Sequence, residues 1–225
     1  MDHCGILGET GLQFFGKMTA SISHEIRNVL AVLNENAGLL EDFILMAEKG
    51  APIDHERLKT LARSMGTQIH RADGIIENMN RFAHGVDERV KSVDLNETIE
   101  LLVALSGRLA DMRGVKLDPV FREEPILITT NPFFLENLLW CFLDFAMGAV
   151  GKEKALKIIS EIQETGIWIR FSGLEDLAET GSNRFPSELE EALLKSLEAD
   201  FSVDVKAGEI AIKVPEKIGS AESGI

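Results

Sequence analysis

A stripe of apolar residues, spaced three or four positions apart, runs through the first part of the chain. Its members are Phe15, Met18, Ile22, Ile26, Val29, Leu33, Ala37, Leu40, Ile44 and Ala47. This spacing follows the 3.6-residue period of an α-helix and places all ten side chains on one face. Because each helical residue advances the chain by about 1.5 Å, the pattern predicts a rod roughly 50 Å long. A helix of that length favours a helical bundle over a small globular core.

A second helix is predicted after a short connection. Gly50 and Pro52 are typical of a helix end, and Asp54 is placed to cap the next helix. The second apolar stripe ends before Gly85 and comprises Leu58, Leu61, Met65, Ile69, Ala72, Ile76, Met79 and Ala83. Two long helices with a short connection form an antiparallel hairpin. One hairpin cannot enclose a core but two can, so residues 10–85 are predicted to form a homodimeric four-helix bundle.

The second half of the chain has a mixed pattern. Residues 86–93 are polar and are expected to be a linker. Helices are expected from Asp94 or Asn96 to about Arg113, from Pro132 to about Ala146, and from Pro186 to about Glu198. Strands are expected at Val115–Phe121, Ile126–Thr129, Leu156–Gln163, Gly166–Phe171, Phe201–Val205 and Glu209–Val214. Helices and strands mix without strict alternation, which predicts an α/β sandwich over residues 92–216, with helices on one face of a mixed sheet. The fold class of the whole chain is therefore α+β.

Composition and charge exclude several classes of function. The formal net charge is −14, which argues against binding to nucleic acid or to an anionic membrane. No uncharged apolar run approaches the roughly 18–20 residues of a membrane span, and the N-terminus lacks the basic region of a signal peptide. Cys4 and Cys141 match no metal or disulfide spacing. We expect a cytoplasmic protein without a membrane span or a bound metal.

The predicted first helix carries a histidine among polar residues, in Ser-His-Glu-Ile-Arg-Asn at residues 23–28. At 100° per residue, His24 lies about 200° from the apolar positions two residues to either side, so it is expected to be exposed. Neutral imidazole is a nucleophile near pH 7, and its phosphoramidate can pass phosphate on. Glu25 could hold the imidazole or accept its proton. Asn28 lies one turn further on the same face, where its amide could orient a water or a phosphoryl oxygen.

This string resembles the phospho-acceptor box of sensor histidine kinases, and the predicted hairpin around it is similar to the dimerisation domain of that family. The resemblance implies that His24 accepts phosphate, with Glu25 and Asn28 as its helpers. Arg27 would steady the transferred phosphoryl group. The family often has proline after the asparagine, whereas this chain has Val29, so a helix bend at this point is not implied.

The second half resembles the ATP-binding domain of the same kinases but lacks its ligands. Residues 135–146 resemble the helix that carries two asparagines for Mg²⁺ and phosphate, yet Cys141 and Phe145 stand at those positions. Neither side chain offers the oxygen ligands that Mg²⁺ requires. Asn137 could serve only in a different register.

Two further parts of a nucleotide site are missing. The family's Asp-x-Gly-x-Gly loop is replaced at residues 172–176 by Ser-Gly-Leu-Glu-Asp, which lacks the aspartate and the second glycine. No glycine-rich lid precedes Pro186. Binding a nucleotide needs convergent ligands, so we expect no cofactor-binding residues and no metal ligands in this chain.

Together these features predict a histidine phosphotransferase of a bacterial two-component phosphorelay. By resemblance, His24 would take phosphate from one response-regulator receiver domain and give it to another, with Mg²⁺ in the acidic pocket of the receiver. The expected partners are a second copy of the chain and receiver domains. Two other classes stay open. One is a receiver phosphatase that uses Asn28. The other is an ATP-using kinase with a divergent pocket, or a scaffold that inhibits a kinase by forming mixed dimers.

Overall fold

The computed structural model describes residues 3–178 and 185–219 of the chain. The helices are α1 (His3–Glu48), α2 (His55–His84), α3 (Leu95–Arg113), α4 (Pro132–Ala149) and α5 (Glu188–Ser196). The strands are β1 (Lys91–Asp94), β2 (Lys116–Val120), β3 (Leu127–Thr130), β4 (Ala155–Gln163), β5 (Gly166–Ser172), β6 (Asp200–Asp204) and β7 (Glu209–Val214). Two long helices are thus followed by an α/β part, as the sequence predicts. In these two ranges no helix combines the length and the apolar character needed to cross a lipid bilayer.

Packing divides the chain into two units. Thr19–Asn80, which holds most of α1 and α2, forms one unit. The residues up to Met18 and those from Arg81 onward form the other. The beginning of α1 and the end of α2 therefore pack with the α/β elements.

The first unit is an antiparallel helical hairpin. Asn36 of α1 donates a side-chain hydrogen bond to Ser64 of α2, with a donor–acceptor distance of 3.0 Å. The Asp54 carboxylate accepts backbone hydrogen bonds from Glu56 and Arg57, which caps α2 as predicted. These contacts confirm the predicted hairpin and both of its helix boundaries at the connection.

Only part of the apolar surface of the hairpin is covered within one chain. Ile22, Val29 and Leu61 are buried. Other apolar side chains of the same unit are exposed over roughly two fifths or more of their surface, and they include Leu30, Leu39, Leu40, Ile44, Leu45, Ile69 and Ile76. Exposed apolar side chains in this number are typical of a surface that another protein covers.

In the second unit, the beginning of α1 packs through a phenylalanine that the sequence analysis did not select. Phe14 is 2% exposed, whereas Phe15, a member of the predicted stripe, is 41% exposed. The Phe14 ring lies 5.3 Å from the ring of Phe82 and 5.6 Å from that of Phe133. Phe15 is only partly covered, with its ring 5.5 Å from that of Phe82. The contacts of Phe14 with α2 and α4, which sequence spacing does not report, turn that neighbouring residue inward.

The predicted linker at residues 86–93 is partly wrong as well, because its last residues form β1. This strand pairs antiparallel with β3, in a register that places Lys91 opposite Thr130. Asp94 rather than Asn96 then caps α3, since its carboxylate accepts the backbone N–H groups of Asn96 and Ile126 at 2.9 and 3.2 Å. A polar strand paired with a distant segment leaves no periodic signal in the sequence.

The remaining strands form a five-stranded sheet in the order β2-β4-β5-β7-β6. β2 runs parallel to β4, and the other neighbours are antiparallel. One face of the sheet is buried, and its side chains include Leu156, Ile158, Ile167, Ile169, Phe171, Ile210 and Ile212. The α+β fold class and the mixed sheet are confirmed, with the correction that β1 and β3 form a separate two-stranded sheet.

Candidate functional site

The first candidate site lies on α1 within the hairpin unit. His24 and its neighbour Ser23 are exposed, whereas Ile22 and Val29 on the opposite side are buried. The helical period explains this arrangement, because His24 is turned away from both buried positions. An exposed imidazole is accessible to a reactant carried by another protein.

Glu25 has a different environment from the histidine beside it. Its side chain is 19% exposed, and its Oε2 lies 3.8 Å from Nη2 of Arg71 on α2. The structure thus brings Arg71 to the site, although the sequence analysis did not identify it. The relevant signal is the antiparallel register of the two helices, which becomes known only when the hairpin is built.

Arg27 and Asn28 are both exposed. Residues one turn apart on a helix are neighbours on its surface, so Asn28 lies on the same side as His24. The site therefore combines a nucleophilic imidazole, a carboxylate, an amide and a guanidinium within about one and a half turns of α1. Such a set can accept a phosphoryl group, hold a proton and orient a water molecule.

In the second unit, α4 holds the two positions that the resemblance assigns to the magnesium-binding asparagines. The Cys141 thiol donates a long hydrogen bond to the side-chain oxygen of buried Asn137. Burial raises the pKa of this thiol well above its usual range, so it stays neutral. The Phe145 ring stacks on that of Phe185, with centroids 4.1 Å apart and planes at 10°. Neither position presents an oxygen ligand, so these residues do not fit Mg²⁺.

The loop after β5 packs against the protein through apolar side chains. Leu174 and Leu177 are buried, and the Leu174 N–H donates to the carbonyl oxygen of Gly208 at 3.0 Å. Gly173 has a φ of +96°, and a Cβ at this position would lie 2.6 Å from the carbonyl oxygen of Ala155. This glycine is therefore required by the fold. The lid predicted to be absent falls on a segment that includes residues 179–184, which are outside the described ranges.

Comparison with models of protein families finds no match. Among curated proteins, the sensor histidine kinase MtrB of Mycolicibacterium paratuberculosis is 28% identical over 141 residues. The alignment covers 58% of this chain and 23% of MtrB, so the chain spans less than a quarter of the length of that relative. The similarity to sensor histidine kinases that the sequence analysis predicts is confirmed.

Three solved structures give a similar result at lower identity. The catalytic domain of the histidine kinase ThkA is 16% identical, has a TM-score of 0.48, and is matched over 58% of this chain and 97% of that chain. ThkA in complex with the response regulator protein TrrA is 19% identical, with a TM-score of 0.46 and coverage of 91% and 63%. A bacterial phosphotransferase is 15% identical, with a TM-score of 0.47 and coverage of 89% and 95%.

Proposed function

We propose that this protein is a histidine phosphotransferase of a bacterial two-component phosphorelay, acting in the cytoplasm. The observation that carries the proposal is the exposed His24 on α1, with Glu25, Arg27 and Asn28 around it. An imidazole held outward on a rigid helix can meet the phosphorylated aspartate of a receiver domain. The similarity to a sensor histidine kinase supports the same class of signalling protein.

The proposed reaction is a reversible exchange of one bond for another. A nitrogen of the His24 imidazole attacks the phosphorus of the receiver's aspartyl phosphate. The N–P bond forms as the O–P bond breaks, and the aspartate leaves as a carboxylate. Glu25 stabilises the positive charge that develops on the ring or accepts its proton. Mg²⁺ would be supplied by the receiver, whose acidic pocket would hold it through carboxylate oxygens. Transfer to a second receiver runs the same steps in reverse.

We propose that the α/β unit takes no part in nucleotide chemistry. Cys141 and Phe145 supply no metal ligands, and the ring of Phe145 on α4 is stacked on the ring of Phe185. The unit would instead present a second docking surface to the receiver.

We further propose that two copies of the chain form the bundle through their hairpins. The exposed apolar residues of α1 and α2, such as Leu30, Ile44 and Ile69, would be covered by the same residues of the second copy. A two-fold arrangement is the simplest way to bury one self-complementary face.

The experiment that tests the proposed function is incubation of the protein with a phosphorylated receiver domain in the absence of nucleotide. We expect acid-labile phosphate to appear on this chain and then to pass to a second, unphosphorylated receiver. A receiver that keeps its phosphate, or that releases it only as inorganic phosphate, would contradict the proposal.

The second candidate function is a receiver phosphatase, which is favoured by the exposed amide of Asn28 one turn from His24. Under the proposed function, Asn28→Ala should slow any release of inorganic phosphate by about tenfold or more, because the amide orients the attacking water. Transfer to His24 should change by less than about threefold. Both rates can be measured with a labelled receiver. Asn34→Ala, at another exposed position of α1, is the matched control, and loss of transfer in Asn28→Ala alone would contradict the proposed roles.

Titration with Mg-ATP tests the alternative of a divergent kinase. We expect no saturable binding below about 1 mM, because a site without metal ligands loses the contacts that supply affinity. Isothermal calorimetry, with the catalytic domain of an active histidine kinase as a positive control, measures this directly. Micromolar affinity would show that the α/β unit does bind nucleotide.

A further inference from the structure

We propose that Arg71 of α2 is a positioning residue for phosphoryl transfer at His24, and that it acts through Glu25. This inference rests on the proposed function and adds a residue from the second helix to the site. It starts from the ion pair in which Nη2 of Arg71 lies 3.8 Å from Oε2 of Glu25.

The ion pair differs from the others in the hairpin. Two other ion pairs of the hairpin join side chains three positions apart at the start of α2, namely Arg57 with Asp54 and Lys59 with Glu56. Those four side chains are all more than half exposed. In contrast, Glu25 is 19% exposed and its partner stands on the other helix. Burial of the carboxylate makes its interaction with a cation stronger than that of a fully hydrated pair.

The register of the hairpin holds this pair in place. Asn36 follows Glu25 by close to three helical turns, and Ser64 precedes Arg71 by close to two turns. Both residues of each helix therefore lie on the same side, and the Asn36–Ser64 hydrogen bond of 3.0 Å belongs to the same seam as the ion pair. The hydrogen bond fixes the register of the two helices about three turns of α1 from Glu25, and in this register Arg71 lies within reach of Glu25.

The charge of Arg71 has a direct consequence for the reaction. A phosphoryl group that approaches His24 carries negative charge, and an uncompensated carboxylate on the next residue would repel it. Arg71 offsets part of the charge of that carboxylate and draws it toward α2. Fewer carboxylate orientations beside the imidazole would mean that less ordering is needed when the receiver binds.

The test compares Arg71→Ala with Arg71→Lys, Glu25→Ala and the double variant Arg71→Ala/Glu25→Ala. Arg63→Ala is the matched control, since Arg63 is another exposed arginine of α2. Single-turnover transfer from a phosphorylated receiver gives the maximal rate and the receiver concentration for half-saturation. We expect Arg71→Ala to lower the maximal rate about two- to fivefold, the range of a partly exposed ion pair, with half-saturation unchanged.

The variants also separate positioning from other roles. Arg71→Lys should recover most of the rate, and the double variant should be no slower than Glu25→Ala alone, because Arg71 acts through Glu25. Three outcomes would each overturn the inference. Arg71→Ala could transfer at the wild-type rate, the effects of the two substitutions could add in the double variant, or the change could be confined to half-saturation. Thermal unfolding should be similar for Arg71→Ala and Arg63→Ala, which excludes a loss of folding as the cause.

A spectroscopic measurement keeps the inference testable apart from the proposed function. The ¹⁵N signals of the His24 imidazole should move in Arg71→Ala and stay unchanged in Arg63→Ala, because only the former removes the guanidinium that pairs with the neighbouring carboxylate. Unchanged signals in both variants would overturn the positioning role. If wild-type protein accepts no phosphate while the signals do move, the proposed function is wrong and the positioning of Glu25 stands.

Discussion

Replacement of His24 by alanine is expected to abolish phosphate transfer through this protein. The imidazole is the proposed nucleophile, and the alanine side chain that replaces it cannot form an N–P bond. We expect the rate of labelling by a phosphorylated receiver to fall by at least about a thousandfold. Acid-labile phosphate on the chain, measured after rapid mixing with labelled receiver, reports this rate. Because His24 is exposed, the variant should fold with little loss of stability.

A matched variant gives the control for this result. His70 is an exposed histidine on the other helix of the hairpin, and His70→Ala should be labelled at the wild-type rate. Labelling that survives in His24→Ala would place the acceptor elsewhere. Loss of labelling in both variants would point to damage to the receiver-binding surface instead of loss of the nucleophile.

The second large effect is expected at Glu136, a buried carboxyl group near the start of α4. Glu136 is 5% exposed, and its Oε2 has no hydrogen-bond partner among the described residues. Burial raises the pKa of Glu136 from its ordinary value of 4.5 to about 8, although the charges of Arg81 and Lys91 oppose the rise. The folded protein therefore holds this group in the neutral form near pH 7.

The raised pKa makes stability depend on pH in a definite direction. Below pH 4.5 the carboxyl group of Glu136 is protonated in both the folded and the unfolded chain, so it does not make the free energy of unfolding depend on pH. Between pH 4.5 and about 8 the unfolded chain ionises while the folded chain does not, so the contribution of this group is progressively lost as pH rises. Above about pH 8 the loss is complete, and a shift of this size corresponds to the order of 3–5 kcal/mol.

Glu136→Gln removes the titrating group while it keeps a side chain of similar shape. We expect the free energy of unfolding of the variant to exceed that of the wild type at pH 9 by the order of 3–5 kcal/mol, and to equal it near pH 4. Urea denaturation at pH 4, 6, 7.5 and 9 measures the difference. Glu100→Gln, at an exposed position of α3, should show no such trend. A constant difference between Glu136→Gln and wild type across this pH range would contradict the raised pKa.

The local elements of this protein are largely predictable from its sequence. Gly50 and Gly114 mark where α1 and α3 end, and Asp54 and Pro132 mark where α2 and α4 begin. Each of these residues has a conformational or hydrogen-bonding property that acts within one turn of chain. The exposure of His24 follows from helical period in the same way. These features depend on residues close together in sequence.

The features that the sequence did not reveal all depend on distant residues. Strand β1 exists because β3 pairs with it, and Phe14 is buried because Phe82 and Phe133 contact it. The stack of Phe145 on Phe185 and the pairing of Arg71 with Glu25 also join separate segments. Periodicity reports which face of an element is apolar and gives no information about which partner meets that face.

The sequence by itself determined the hairpin, the α+β class and the histidine with its neighbours. It also places Cys141 and Phe145 at the two positions that the resemblance assigns to magnesium-binding asparagines. Tertiary structure alone decided that Arg71 stands beside Glu25 and that Glu136 is buried, with no hydrogen-bond partner for its Oε2 among the described residues. The physical reason is that side-chain chemistry and helical period are local properties, whereas desolvation and ion pairing depend on groups brought together by folding.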